Sequence, residues 1–199
     1  MSVTTLDPHT ALIVIDLQNG IVACPTAHRT TEVIARAAAL AAAFRQQQKP
    51  VVLVNVTGFA PGRTGQARRA GELPADWSTL VPELGRQPGD HTVSKQTWGA
   101  FIGTDLLAHL RENGVTQVVL AGISTSIGVE STARQAYELG FNVTLAIDAM
   151  TDMNAEAHIN SVERIFPRLG ETGSTAEIIA LLEPDVAATT TVKSSIAIE

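Results

Sequence analysis

Three positions in this 199-residue chain could carry chemistry at places where a folded chain would use it. The apolar run Ala11-Leu12-Ile13-Val14-Ile15 stops at Asp16, and the weaker run His91-Thr92-Val93-Ser94 stops at Lys95. A third run, Val118-Val119-Leu120-Ala121-Gly122, passes into Ile123-Ser124-Thr125-Ser126-Ile127-Gly128, a turn of mostly small residues. A carboxyl and an ammonium group offer proton transfer and charge stabilisation, and a small-residue turn lets a ligand approach the backbone. Asp148 follows a fourth run, Val143-Thr144-Leu145-Ala146-Ile147, and reads as a turn residue. Ser124, Thr125 and Ser126 have no evident histidine base, so a serine nucleophile is not expected.

Other chemistries find less support. His9, His28, His91, His109 and His158 lack ligand spacing, so no metal is expected, and no cofactor either. His28 remains a candidate for lining a pocket. The single cysteine, Cys24, excludes an internal disulfide and a Cys-rich zinc site, and reads as an inert thiol. Fourteen Lys and Arg against twenty Asp and Glu leave a net charge of −6, the wrong balance for gripping nucleic acid. No apolar stretch reaches the roughly 18 residues of a membrane span, and the first residues do not read as a secretory signal. A cytoplasmic protein with neither a nucleic-acid nor a membrane partner is expected.

The elements that must position these groups alternate. Short β-branched runs, including Val51–Val56, are near-continuously apolar, as in a parallel sheet covered on both faces. Between them lie helical segments at Thr31–Gln48, Asp105–Glu112, Ser126–Leu139, Asn154–Phe166 and Thr175–Leu182. Glu32 and Arg36 are spaced for an ion pair on the first, and Pro50 lies beyond its end. This order implies a three-layer α/β/α fold with a mainly parallel sheet, whose ligands bind beyond the carboxyl ends of the strands. Residues 1–183 read as one domain and 184–199 as a loosely ordered tail. Phe59–Gly89 has no clear period and reads as a lid or mobile segment. Its Arg63, Arg68 and Arg69 are either cationic substrate contacts or solvated surface.

Four motifs appear in order: ALIVIDLQNG around Asp16, SKQTWGAF around Lys95, LAGISTSIGVESTARQAYELGFNVTLAIDAM around Gly128, and IFPRLGETGSTAEI near the end. With them the chain resembles the isochorismatase-like hydrolases, from about Thr10 to Leu182. The family includes nicotinamidases and other cysteine amidohydrolases. The resemblance implies a homo-oligomer acting on a small-molecule substrate, with Asp16 and Lys95 in the catalytic set. It also implies a cis peptide at Ile123–Ser124, with the amides of Ser124 and Gly128 forming an oxyanion hole or an inherited scaffold detail. Some nicotinamidases bind a metal, but the matching strand end here, Asn55-Val56-Thr57, lacks those ligands.

The family's catalytic cysteine falls on Gly128. Without a thiolate there is no thioester intermediate. The chain is in this respect similar to true isochorismatases, which cleave a vinyl ether with water. That resemblance gives Asp16 the role of acid and Lys95 that of electrostatic partner. An ammonium beside Asp16 lowers its pKa and opposes an acid role, whereas desolvation or an anionic substrate raises it. A substrate bearing carboxylates therefore suits the pair better than a neutral amide. Gln18 and Asn19 either orient Asp16 or a substrate, or satisfy backbone groups. Trp98 and Phe101 either wall the pocket or belong to the core. Two other functions stay open: a non-catalytic metabolite-binding relative, and a hydrolase using activated water on an amide or other C–N bond.

Overall fold

A computed structural model describes residues 2–65 and 72–182. The chain opens with β1 (Thr10–Ile15), the single turn α1 (Asn19–Val22), α2 (Thr30–Gln46) and β2 (Val51–Val56). Next come β3 (His91–Lys95), α3 (Leu106–Glu112), β4 (Gln117–Ile123) and α4 (Glu130–Glu138), which is entered through a wide turn at Thr125–Val129. β5 (Asn142–Thr151), α5 (Ala155–Asn160), β6 (Glu171–Gly173) and α6 (Thr175–Leu182) follow.

The six strands form one parallel sheet in the order β3-β2-β1-β4-β5-β6. All of β1 is buried, and its side chains alternate between two core layers. Ala11, Ile13 and Ile15 pack with α3 and α4, while Leu12 and Val14 pack with α2 and α6. Burial on both faces explains the unbroken apolar run. Each fully buried Leu or Ile contributes about 1.5–3 kcal/mol of transfer free energy. The expected three-layer α/β/α architecture is thus present.

The chain winds outward from β1 to β3, then returns to β4 and winds the other way. This reversal places the end of β1 beside the end of β4, with Ile15 paired to Gly122. Open α/β sheets bind ligands in the crevice at such a point. Gly122 has a φ of +123°, and a side chain there would collide with the Ile15 carbonyl. Glycine is required for the two strand ends to lie this close.

Two sequence expectations need correction. Asp148 does not end its strand. A register shift opposite Leu120 and Gly122 lets β5 run on to Thr151. An aspartate is tolerated inside the strand because Oδ1 accepts the Thr175 N–H at 2.7 Å and its hydroxyl at 2.9 Å, starting α6. Arg36 lies 3.5 Å from the other oxygen. The residue that leaves the carboxyl end of β5 is therefore Asp152.

Nor is the 59–89 segment a lid throughout. Its later part is fastened to the body by backbone hydrogen bonds, which leave no hydrophobic period to read. Gly20 N–H donates to the Trp77 carbonyl, Asn19 N–H to Thr79, and Val81 N–H to Leu17. Arg45 secures the following turn through Asp90 at 3.0 and 2.8 Å. Arg63 is exposed, whereas Arg68, Arg69 and the tail from 184 lie outside the described residues. Among the described residues, no helix is long and apolar enough to cross a membrane.

Candidate active site

β1 leaves the sheet with Asp16 at a φ of 52°, a left-handed conformation that Asp adopts more readily than most residues. Its N–H donates to the Val54 carbonyl and its own carbonyl accepts the Gln18 N–H, both at 2.9 Å. Its backbone is therefore anchored at the sheet's rim on both sides. Lys95 arrives from β3, two strands away, and its stem crosses the end of β2. Lys95 Nζ donates to Asp16 Oδ2 at 2.7 Å and to the Thr97 carbonyl at 3.1 Å. Asp16 and Lys95 are only 5% and 2% exposed.

The pair is asymmetric, because the other Asp16 oxygen, Oδ1, is buried with no hydrogen-bond partner. Burial raises the carboxyl pKa more than the Lys95 charge and hydrogen bond lower it, so it is pushed up to about 6. A carboxyl group at that value exchanges protons near neutrality, as a general acid requires.

The turn after β4 covers this pair. The Ile123–Ser124 peptide is cis. Gly128 is buried, and a Cβ built on it would lie 3.2 Å from Asp16 Oδ2 and 3.0 Å from Ile15 Cγ2. Asp16, Lys95 and Gly128 thus meet at one place. Thr132 donates to the Gly128 carbonyl at 2.7 Å, joining the turn to α4.

The remaining candidates separate. Gln18 takes the backbone role of the two left open by the sequence. Its Oε1 accepts the Val56 N–H at 2.7 Å, and its Nε2 donates to the carbonyls of Val56 and Trp77. Asn19 donates to Asp76 at 3.2 Å. Phe101 belongs to the core, stacked on Phe141 with centroids 6.0 Å apart. Trp98, beside the Thr97 that holds Lys95, is 63% exposed. The half-buried Cys24 thiol lies 3.5 Å from the Gly20 carbonyl and does not meet Asp16 through any hydrogen bond. Among the described residues, no group of three or more His, Cys, Asp or Glu is placed to hold a metal ion.

Sequence reading missed a second tier behind the turn. Asp152 Oδ2 accepts both the N–H and the hydroxyl of Ser126, at 2.7 and 2.8 Å. Ser124 Oγ donates to Met153 Sδ, and Thr125 Oγ1 lies 2.8 Å from His158 Nδ1. His28 and His158 meet edge to face at 4.7 Å, and His28 Nδ1 is 3.0 Å from Thr151 Oγ1. Burial, with the neighbouring His28, holds His158 below the ordinary imidazole range. Thr-Asp-Met-Asn reads locally as turn chemistry, and no spacing in the sequence ties it to Ser124–Ser126, about 26 residues earlier.

A doubly wound sheet with a buried carboxylate–ammonium pair at its reversal is a frame on which α/β enzymes hold small ligands. The chain matches the isochorismatase domain over residues 10–177 and belongs to the isochorismatase family of hydrolases. It is 45% identical over 183 residues to the uncharacterized isochorismatase family protein YecD of Escherichia coli O157:H7, covering 87% of this chain and 96% of that one. Identity to the uncharacterized family protein YwoC of Bacillus subtilis (strain 168) is 42% over 177 residues, 85% of this chain and 92% of that one. The solved structure of a family member from Burkholderia thailandensis superposes with a TM-score of 0.88 at 42% identity, covering 92% of this chain and all of that one.

Proposed function

We propose that this hydrolase cleaves the vinyl ether of a small anionic metabolite of the isochorismate type, with Asp16 as general acid and no covalent intermediate. The observation that carries this reading is the missing side chain at Gly128, where a Cβ would lie only 3.2 Å from Asp16 Oδ2, so that no thiol stands beside the acid. Family members that use the thioester route carry a thiol at the matching position.

Protonated Asp16 gives its proton to the terminal vinyl carbon, and the ether oxygen stabilises the resulting oxocarbenium ion. Water adds to that cation. The hemiketal then divides into a 2-keto acid and the ring alcohol, and the proton released by the water returns to the Asp16 carboxylate. Lys95 offsets the negative charge of the substrate and of Asp16 after transfer. A bound carboxylate would raise the Asp16 pKa further, so substrate binding itself favours the acid form.

The test assays isochorismate and a panel of small amides with the wild type and Asp16→Asn. Pyruvate release from isochorismate is expected, with a loss of about 10²–10⁴-fold in the variant, the usual contribution of a general acid. Turnover of amides alone would replace this reading with water-based C–N hydrolysis. Saturable binding without turnover of any compound would make the protein a non-catalytic metabolite-binding relative.

A further inference from the structure

Three successive residues entering the wide turn, Ser124–Ser126, are each gripped from one segment. Ser124 contacts Met153, Thr125 contacts His158, and Ser126 contacts Asp152. Of the three grips the one on Ser126 is the strongest, because one carboxylate oxygen takes both its N–H and its hydroxyl. Asp152 is 2% exposed and has no cationic partner among the described residues. Its other oxygen accepts the Asn154 N–H at 3.1 Å, and its carbonyl accepts the Ala27 N–H at 2.8 Å. A carboxylate this buried is costly unless hydrogen-bonded, so its bonds to the turn are what keep it in place.

We propose that Asp152 is a positioning residue, fixing the Ser124–Gly128 turn so that Gly128 stays closed over Asp16. This inference rests on the proposed role of Asp16 but concerns a residue whose hydrogen bonds go to Ser126, Asn154 and Ala27 and not to Asp16 or Lys95. The turn and β5 are separate in sequence, so a loosened grip would let Gly128 lift and water reach Asp16. Asp152 would then act on the reaction through the solvation of another carboxyl group.

The experiment titrates the Asp16 side-chain carboxyl by carbon NMR in the wild type, Asp152→Ala and Asp152→Asn, alongside turnover and thermal melting. Asp152→Asn removes the charge and the acceptor of the Asn154 N–H but keeps an oxygen that can accept both Ser126 hydrogens. Asp152→Ala removes that oxygen as well. The alanine variant is expected to bring the Asp16 pKa down by about one unit and turnover down at least about tenfold, as sub-ångström misplacement does. The asparagine variant stays within about threefold of the wild type, because the grip on Ser126 is kept. Should Asp152→Ala not fold, Ser126→Ala removes one of the two bonds and shifts the titration in the same direction by less.

An unmoved Asp16 titration in Asp152→Ala and Ser126→Ala overturns the proposal. Equal losses in the alanine and asparagine variants also overturn it, since charge rather than position would then matter. The titration needs no substrate. If the wild type fails to turn over isochorismate, the functional reading falls while the positioning of the turn is still measured.

Discussion

Arg45 meets Asp90 at 2.8 Å and Lys95 meets Asp16 at 2.7 Å, and both pairs are shielded from solvent. They satisfy their carboxylates very differently. Asp90 receives Arg45 Nε on one oxygen, and on the other both Arg45 Nη2 and the Gln87 N–H. Arg45 also donates to the Leu84 carbonyl. Asp16 receives a single ammonium on Oδ2, and Oδ1 receives nothing. A guanidinium is a planar fork that covers both oxygens, whereas an ammonium is a point charge. One aspartate is saturated and fastens a loop, and the other leaves one buried oxygen without a partner.

This contrast can be broken first through stability. Arg45→Met leaves Asp90 buried without its cation and should cost about 3–5 kcal/mol, read from the urea midpoint at constant slope. Lys95→Met should cost far less, because Asp16 can take up a proton and become neutral. Equal losses in the two variants would erase the distinction between the pairs.

The next effect lies in the pH profile. If the protonated form of Asp16 acts, kcat/KM declines as pH rises through about 6. Lys95 lowers the Asp16 pKa, so Lys95→Met should carry that alkaline limb upward, by about one unit if the lost interaction is worth about 1.4 kcal/mol. The smallest effect sharpens the comparison by making the second pair like the first. Lys95→Arg offers a fork to both Asp16 oxygens, so the limb should move down by about half a unit, with lower activity at neutral pH. Movement of both variants in the same direction would show that Lys95 is not what sets the titration.

Much of this was legible in the sequence, and the failures share a cause. The alternation of elements and Asp16 at the end of β1 follow from apolar runs that stop at a charge, whereas Lys95, after the weak run His91–Ser94, rests on the SKQTWGAF motif. Asp148 misled for the same reason, because a charge inside a strand looks like a stop. It is tolerated there because Thr175 and Arg36, distant in sequence, satisfy it. Asp152, Gln18 and the fastened part of the 59–89 segment act through hydrogen bonds to backbone or to Ser126, which carry no period. Phe101 lies near a strand end, and only its packing on Phe141 assigns it to the core.

Lys95 comes from the β3 wing of the sheet and Gly128 from the β4 wing, with Asp16 between them. No fragment carrying one wing alone possesses the site. On the proposed mechanism, catalytic competence would appear only when the last of the two halves has docked, and would vanish when either first comes loose. Activity in this enzyme would be a sensitive gauge of complete assembly during refolding, registering partly formed sheets as silent even where much of their secondary structure is already in place.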